Sequence, residues 1–552
     1  MIKKRLKARL DQCFTKGVDQ GLWSADSAGT YAVEEPKQAT HGDFATNMAM
    51  VIGGREKKNP REIAGQLAGL MAEHAELVEK AEIAGPGFVN FFIKPAVWHS
   101  VLPEVCGENE KFGLSEVGAG CKVLVEFVSA NPTGPLSIGH GRQAVLGDAI
   151  ARLLTATGHQ VTREYYYNDA GRQMRVLGES TRARYLECLG LEHHFPEDGY
   201  QGEYIREIAA DLAGKQGDAL KDIDDVTPFK EAAEQAIFAD IDGTLKRLGI
   251  RFDNYYNEHT LYDAGLIDEV VATLRDKGLV YERDEAVWFK TTEFGQEKDR
   301  VIIKSSGEPT YRLPDIAYHR EKFKRGFDWM VDIFGADHIA TVPDVMAGVA
   351  ALGYDPAKVT VVLHQFVTLM REGKQVKMST RKANFVTIDE LIDEVGVDVV
   401  RFFFLMRKAD SHLEFDLDLA TQQSQENPVY YMQYGHARLA SINRKAVEKG
   451  VDRGPLSEVP LHRLTEPEEL NLLKSMAAWP DLVESAALNL EPHGIIFFMQ
   501  DLAAQFHSYY NKQRVISDDL ELSRARLWLA EGIRIILRNG LNLIGVKAPE
   551  TM

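Results

Sequence analysis

Cysteine is scarce in this chain: Cys13, Cys106, Cys121 and Cys188 are the only four among 552 residues. No two lie at the spacing of a zinc knuckle or a redox dithiol, which argues against a disulfide scaffold and a structural metal, and for a reducing cytoplasm. Long apolar runs are missing too. No stretch approaches the roughly 18 to 20 residues of a membrane helix, and the opening MIKKRLKARLDQ runs straight into charge, so neither a membrane span nor a signal peptide is expected. Net positive charge is also absent. Lys plus Arg number 64 against 82 Asp plus Glu, a formal charge of -18, the wrong sign for a protein that coats DNA or RNA indiscriminately. An RNA partner must be met by local basic surface. There is no internal repeat and no low-complexity tract, which leaves out solenoids and fibres.

What is present is the balance of soluble globular domains, 45% hydrophobic and 26% charged residues, in a length that suggests three or four units of about 150 residues each. Helical patterns at Ile2 to Cys13 and Arg61 to Leu77, then a Gly85-Pro86-Gly87 turn and a strand-like Phe88 to Ile93, read as a small α+β module. A polar, glycine-bearing stretch at 107–120 reads as a linker. From Cys121 the apolar run KVLVEFVSA has the character of a strand buried on both faces of a parallel sheet. A helix over Gly141 to Thr157, stopped at Gly158, and a strand VTREYYY complete a βαβ unit. Residues 175–260 are charged and helical in pattern and read as an insertion. Strand material returns at VWFK, VIIK, WMVDIFGADH and KVTVVLHQFVTLM, which is expected to finish the sheet. From Asp389 the stripes are almost entirely helical, a C-terminal bundle. The fold class is thus α/β multidomain: residues 1–115, a doubly wound parallel-sheet domain over 116–386 with its insertion, and an all-α bundle over 387–552.

Two segments carry the chemistry. Glu126 to Arg142 lies between the first buried strand and its helix, where doubly wound sheets bind ligands. Helix-start N–H groups favour phosphates, Gly139 and Gly141 permit close approach of a nucleotide, and His140 is placed to donate to a phosphate oxygen. Gly139 to Ala144 also fits the dinucleotide pattern G-x-G-x-x-A with Glu164 as the ribose partner, but ten residues, Ser129 to Ile138, separate it from the strand. The second segment, Arg371 to Lys382, gathers Arg371, Lys374, Lys377, Arg381 and Lys382 on one loop. Such a cluster can neutralise a triphosphate as pyrophosphate departs, or be a solvated basic loop.

Ser137-Ile-Gly-His140 with Lys377-Met-Ser-Thr-Arg381 resembles the HIGH and KMSKS signatures of class I aminoacyl-tRNA synthetases. EFVSANPTGPLSIGHGR, YYNDAGRQM, YRLPDIAYH, FGADH, VKMSTRK, ENPVYYMQYGHAR and GVKAPETM are similar to the arginyl-tRNA synthetases in particular, along the whole chain. The resemblance implies a cytoplasmic ligase that uses ATP with Mg²⁺ to make arginyl-adenylate and passes arginine to the 3′ end of tRNA(Arg), and that acts as a monomer; it also suggests activation that depends on bound tRNA. It implies that Ser137, Gly139, His140, Gly141, Lys377 and Met378 bind ATP, with His140, Lys377, Ser379 and Arg381 serving catalysis. Glu126, Asn131, Tyr311, Asp315 and, more weakly, Gln173 are implied to bind arginine, the carboxylates matching its guanidinium and amino groups. The N-terminal module would touch the tRNA elbow through Phe88 and Asn90, and the bundle would read the anticodon with Tyr434, Arg438 and Met552. Blander readings stand beside these: Glu126 as a strand carboxylate held by a lysine, Phe88 as core, Tyr434 as packing. The chain departs from the signatures at Ser137, Thr380 and Ala383-Asn384. An RNA-binding relative that has lost activation, and a nicotinamide oxidoreductase, are the rival functions.

Overall fold

The computed structural model describes residues 1–376 and 386–552. At its centre five strands run parallel: β1 (Lys122–Glu126), β2 (Gln160–Tyr167), β3 (Asn254–Asn257), β4 (Trp329–Gly335) and β5 (Val359–His364). Their spatial order is β5-β4-β1-β2-β3, the doubly wound arrangement in which the direction of winding reverses between β1 and β4. Helix α1 (Ile138–Ala156) makes the first crossover and helix α2 (Arg312–Lys324) leads into β4. The apolar run Val123 to Val125 is fully buried, as the central position of β1 demands.

The structure departs from the pattern reading at definite places. Asn254–Asn257, inside the expected insertion, is the edge strand of the parallel sheet. Its residues NYYN carry no aliphatic run, because an edge strand is covered on one side only. Helices Arg172–Cys188, Glu203–Gln216 and Thr227–Arg247 precede it, so the insertion is an enlarged crossover. VWFK and VIIK do not finish the sheet. Ala286–Phe289 is the middle strand of a separate three-stranded sheet, antiparallel to Arg300–Ile303 on one side and to Val280–Arg283 on the other, since hairpin-linked strands this short cannot make a parallel crossover. Val367–Arg371 also leaves the main sheet and pairs in parallel with Leu413–Asp416, one strand in a region that otherwise reads as helix.

The N-terminal module has helices Ile2–Asp19 and Pro60–Met71 on a four-stranded antiparallel sheet. The second helix starts as its sequence demands, Asn59 accepting the Arg61 N–H at 3.0 Å with Pro60 at the first position. The 107–120 stretch is docked rather than free: Phe112 is buried and its carbonyl accepts from Trp479 Nε1 at 3.1 Å and Asn539 Nδ2 at 3.2 Å. The Met1 ammonium meets Asp481 at 2.8 Å, so the N-terminal helix docks on the C-terminal bundle. Pro467–Leu488 and Leu520–Leu543 of the C-terminal bundle touch α1 directly.

Arg401 joins three regions. Fully buried, it donates to the carbonyls of Ile544 at 3.0 Å and Leu248 at 2.9 Å, and to Asp148 of α1 at 2.5 Å. Removing one partner of such a buried network leaves the others unpaired. Arg401→Met is expected to cost about 3 kcal/mol, read as a lower guanidinium unfolding midpoint; an unchanged midpoint would show that Asp148 is satisfied by Arg152, 2.6 Å away.

Candidate active site

The crevice at the reversal of winding is built from the carboxyl ends of β1 and β4 and the amino end of α1. The chain leaves β1 through Val128 (φ 69°) and Ser129 (φ 39°), left-handed conformations that non-glycine residues take only under constraint. The constraint is visible: Ser129 Oγ donates to Glu126 Oε1 at 3.0 Å and accepts from Tyr166 N at 3.1 Å, and Tyr165 Oη donates to the Ala130 carbonyl at 2.8 Å. Tyr204, on the helical insertion, donates to the Thr133 carbonyl at 2.5 Å.

Ser137, the departure from the signature, is the N-cap of α1. Its backbone N–H donates to His140 Nδ1 at 3.2 Å while its Oγ lies 3.5 Å from the His140 N–H, a capping box closed by a histidine. Since Nδ1 accepts from a backbone N–H, the neutral ring carries its proton on Nε2. Burial holds the His140 pKa below its usual value, opposed by Asp337. Gly139 has open space over its Cα, Ser137 Oγ being the one atom near, at 3.7 Å, so a ligand can approach there. Gly141 does not serve that purpose. A Cβ on it would lie 2.2 Å from Ile388 Cδ1, so its bare Cα is turned into the protein; the expectation of a nucleotide above it is corrected to a packing role. Ile388 N in turn donates to the Leu136 carbonyl at 3.0 Å, and Ser137 forms a β-bridge with Thr387. The basic loop therefore returns to the signature helix at its far end. Lys377, Met378, Ser379, Thr380, Arg381 and Lys382 themselves lie outside the described residues. Of the cluster's flanks, Arg371 is engaged elsewhere, with Glu394 at 2.5 Å.

Level with the carboxyl end of β1, Asp332, Glu126 and Glu164 stand in register on β4, β1 and β2. Three buried carboxylates side by side demand compensation, and one face of α2 supplies it. Lys322 Nζ lies 2.5 Å from Glu126 Oε2 and 2.7 Å from Asp332 Oδ1, His319 Nε2 lies 2.9 Å from Asp332 Oδ2, and Arg325 donates to Glu164 at 2.7 Å. Glu126 is thus held by a lysine, as its blander reading has it, yet through one oxygen only. Glu164 is occupied by Arg325, Asn254 and Tyr318, and the geometry offers it to no ribose, which removes the structural basis of the dinucleotide reading.

Tyr311 caps α2 and is 78% exposed, and Asp315 follows one turn later. Burial pushes the Asp315 carboxyl up to about 7, with Glu258 and Glu126 adding to the effect and His319 and Lys322 opposing it. A carboxylate this strained lacks a cation. Glu258 escaped the sequence reading: it lies just past β3, 7% exposed, with Oε2 accepting from Tyr166 Oη at 2.9 Å and its pKa raised by burial. Only the fold, by making NYYN a strand, brings it to Asp315. Asn131 and Gln173, 42 positions apart, meet at 2.7 Å. His364, at the end of β5, was also missed; its buried Nε2 has no partner among the described residues, and burial lowers its pKa to about 4.

Away from the crevice, Phe88 is 38% exposed whereas Asn90 is buried at 6%. Tyr434 stacks on Tyr430 with centroids 6.2 Å apart, and the Arg438 guanidinium lies 4.6 Å from the Tyr510 ring centroid. The C-terminal residues run along the same helix, His436 Nδ1 lying 2.7 Å from the Pro549 carbonyl, and Met552 ends the chain exposed. Among the described residues no group of three or more His, Cys, Asp or Glu could hold a metal ion, and no helix is long and apolar enough to cross a membrane.

Residues 104–403 match the family model described as tRNA synthetases class I (R), catalytic domain, residues 432–552 the DALR anticodon binding domain, and residues 1–93 the arginyl tRNA synthetase N terminal domain. The curated arginine–tRNA ligase of Desulfotalea psychrophila is 66% identical over 552 residues, covering 100% of both chains. That of Syntrophotalea carbinolica is 48% identical over 554 residues, again 100% of both. The solved Thermus thermophilus arginyl-tRNA synthetase has the same fold, with a TM-score of 0.76 at 22% identity over 100% of each chain. The chain belongs to the arginyl-tRNA synthetases of class I, and its reaction is the ATP-dependent activation of arginine and the charging of tRNA with it.

Proposed function

We propose that the crevice divides the reaction between two walls. On one, the amino end of α1 receives ATP: Ser137 and Gly139 shape the floor, and His140 Nε2–H donates to a phosphate oxygen as charge develops there. Lys377, Met378, Ser379 and Arg381 close over the triphosphate, and Mg²⁺ bound with the ATP would add charge neutralisation there. On the other wall Glu126 and Asp315 receive the two cationic ends of arginine, with Glu258 as a further acid, Tyr311 at the mouth, and the Asn131–Gln173 pair orienting the substrate. The carboxyl of arginine then lies against the phosphates, and no side-chain nucleophile is needed, because positioning and charge neutralisation suffice. The observation that carries this reading is Asp315, a half-buried acid with Glu258 and Glu126 as like-charged neighbours and a carboxyl raised to about 7: a cationic ligand resolves that strain.

Exposed Phe88, with Asn90, belongs to the tRNA elbow contact, and the Tyr430, Tyr434 and Arg438 stripe with Met552 to the anticodon contact, since stacked tyrosines and arginine suit unpaired bases. The chain works as a monomer in the cytoplasm, divided functionally at about residues 115 and 386. The test is to offer total tRNA and each of twenty radiolabelled amino acids to the purified protein, with pyrophosphate exchange measured with and without tRNA. Arginine alone should be charged, and exchange should require tRNA. Charging of none, with tRNA binding retained, would favour the relative that has lost activation.

A further inference from the structure

Lys322 lies beneath the proposed arginine wall with no exposed surface, between Glu126 Oε2 at 2.5 Å and Asp332 Oδ1 at 2.7 Å. The line continues: Asp332 Oδ2 is 2.9 Å from His319 Nε2, and His319 Nδ1 donates to the Asp315 carbonyl at 2.7 Å. A buried chain of Glu126, Lys322, Asp332 and His319 therefore ends on the backbone carbonyl of Asp315. Stability is a poor account of it, because desolvating two carboxylates and an ammonium offsets most of their attraction and an apolar trio would serve as well. Direction is a better one. Lys322 takes one oxygen of Glu126 and leaves the other, Oε1, with Ser129 Oγ at 3.0 Å as its one partner among the described residues. Burial raises the Glu126 carboxyl, and Lys322 is the strongest influence against it, ahead of His319.

We infer that Lys322 is a positioning residue for the amino-acid substrate: it turns Glu126 so that Oε1 faces the ligand and, through Asp332 and His319, holds the turn of α2 that carries Asp315, so the two acids are held at one fixed spacing for the two cationic ends of arginine. The inference rests on the assignment of Glu126 and Asp315 to arginine made above. A longer or shorter dication, or a neutral amino acid, gains nothing from that spacing, which makes Lys322 a determinant of specificity without touching substrate.

The test is pyrophosphate exchange at saturating tRNA with the full-length protein, comparing Lys322→Met, Lys322→Arg, Glu126→Gln and the Lys322→Met/Glu126→Gln pair. Lys322→Met should raise the arginine KM about 30-fold, as for removal of a buried charge partner, while the ATP KM and tRNA affinity hold. Lys322→Arg should recover part of the loss, and Lys322→Met should add little once Glu126 is already Gln. A merely structural lysine would lower kcat through the active fraction and leave KM alone. If Glu126→Gln raises KM but Lys322→Met does not, the positioning role is overturned and the pocket stands; if Glu126→Gln itself leaves KM unchanged, the pocket assignment fails. Should Lys322→Met not fold, Lys322→Gln with Asp332→Asn keeps the net charge of the trio, and an arginine KM at the wild-type value in that protein overturns the inference equally.

Discussion

Alanine at position 140 should slow adenylate formation about 100- to 1,000-fold, the effect of losing one donor aimed at developing charge. The geometry behind this is narrow. Ser137 N–H occupies His140 Nδ1, so the remaining proton is on Nε2, and burial keeps the ring neutral. A neutral donor needs no deprotonation step and its strength is not diluted by water. The loss should appear in single-turnover pyrophosphate exchange with little change in tRNA affinity, because the residues proposed for tRNA lie in the N-terminal module and the C-terminal bundle. Unaltered aminoacylation by His140→Ala would remove the phosphate role. His140→Asn, which can still donate, should fall between the two proteins.

Asp315→Asn should raise the arginine KM about 1,000-fold, the upper range for deleting one member of a desolvated charge pair. The wild-type protein should also show a pH signature. With the carboxyl raised from 3.8 to about 7, the free protein holds a proton there at mildly acidic pH, and a guanidinium or ammonium must displace it. Arginine affinity should therefore fall about tenfold for each pH unit below about 7 and level off above it. The stability of the ligand-free protein has the opposite sign: the native state binds more protons than the unfolded chain between about 4 and 7, so this group's contribution declines as pH rises through that window. Calorimetry in buffers of different ionisation enthalpy should detect proton release on arginine binding near pH 6.5, absent in Asp315→Asn. A wild-type affinity flat from pH 5.5 to 8 would sink the assignment of Asp315 to the ligand.

Much of this protein could be read from local pattern. The buried run at Val123 to Val125, the helix stopped by Gly158 and the amphipathic stripes near both ends are dictated by nearest-neighbour burial, which a sequence displays. The first signature segment is likewise local, so its place at the carboxyl edge of the first strand followed directly. Misreadings came where identity depends on partners. NYYN looks polar until β2 pairs with it, AVWF and RVII look like buried parallel strands until their hairpin folds away, and the apparent linker at 107–120 is fixed by Trp479, more than 350 residues distant. Gly141 suggested a nucleotide floor because a glycine's reason is invisible without its neighbour, here Ile388.

The sequence by itself determined the family, the reaction, the fold class and the capped start of α1, because each depends on contiguous residues. Tertiary structure alone decided the charge pattern of the amino-acid wall. Asp332, Glu126 and Glu164 become one row only when three strands align, Lys322 and Arg325 become their counter-ions only when α2 packs over them, and Glu258 reaches Asp315 only from the far edge of the sheet. Electrostatic energy depends on separation and burial rather than on position along the chain, so acids and bases scattered over some two hundred residues acquire their meaning when folding brings them within a few ångströms and takes away the water.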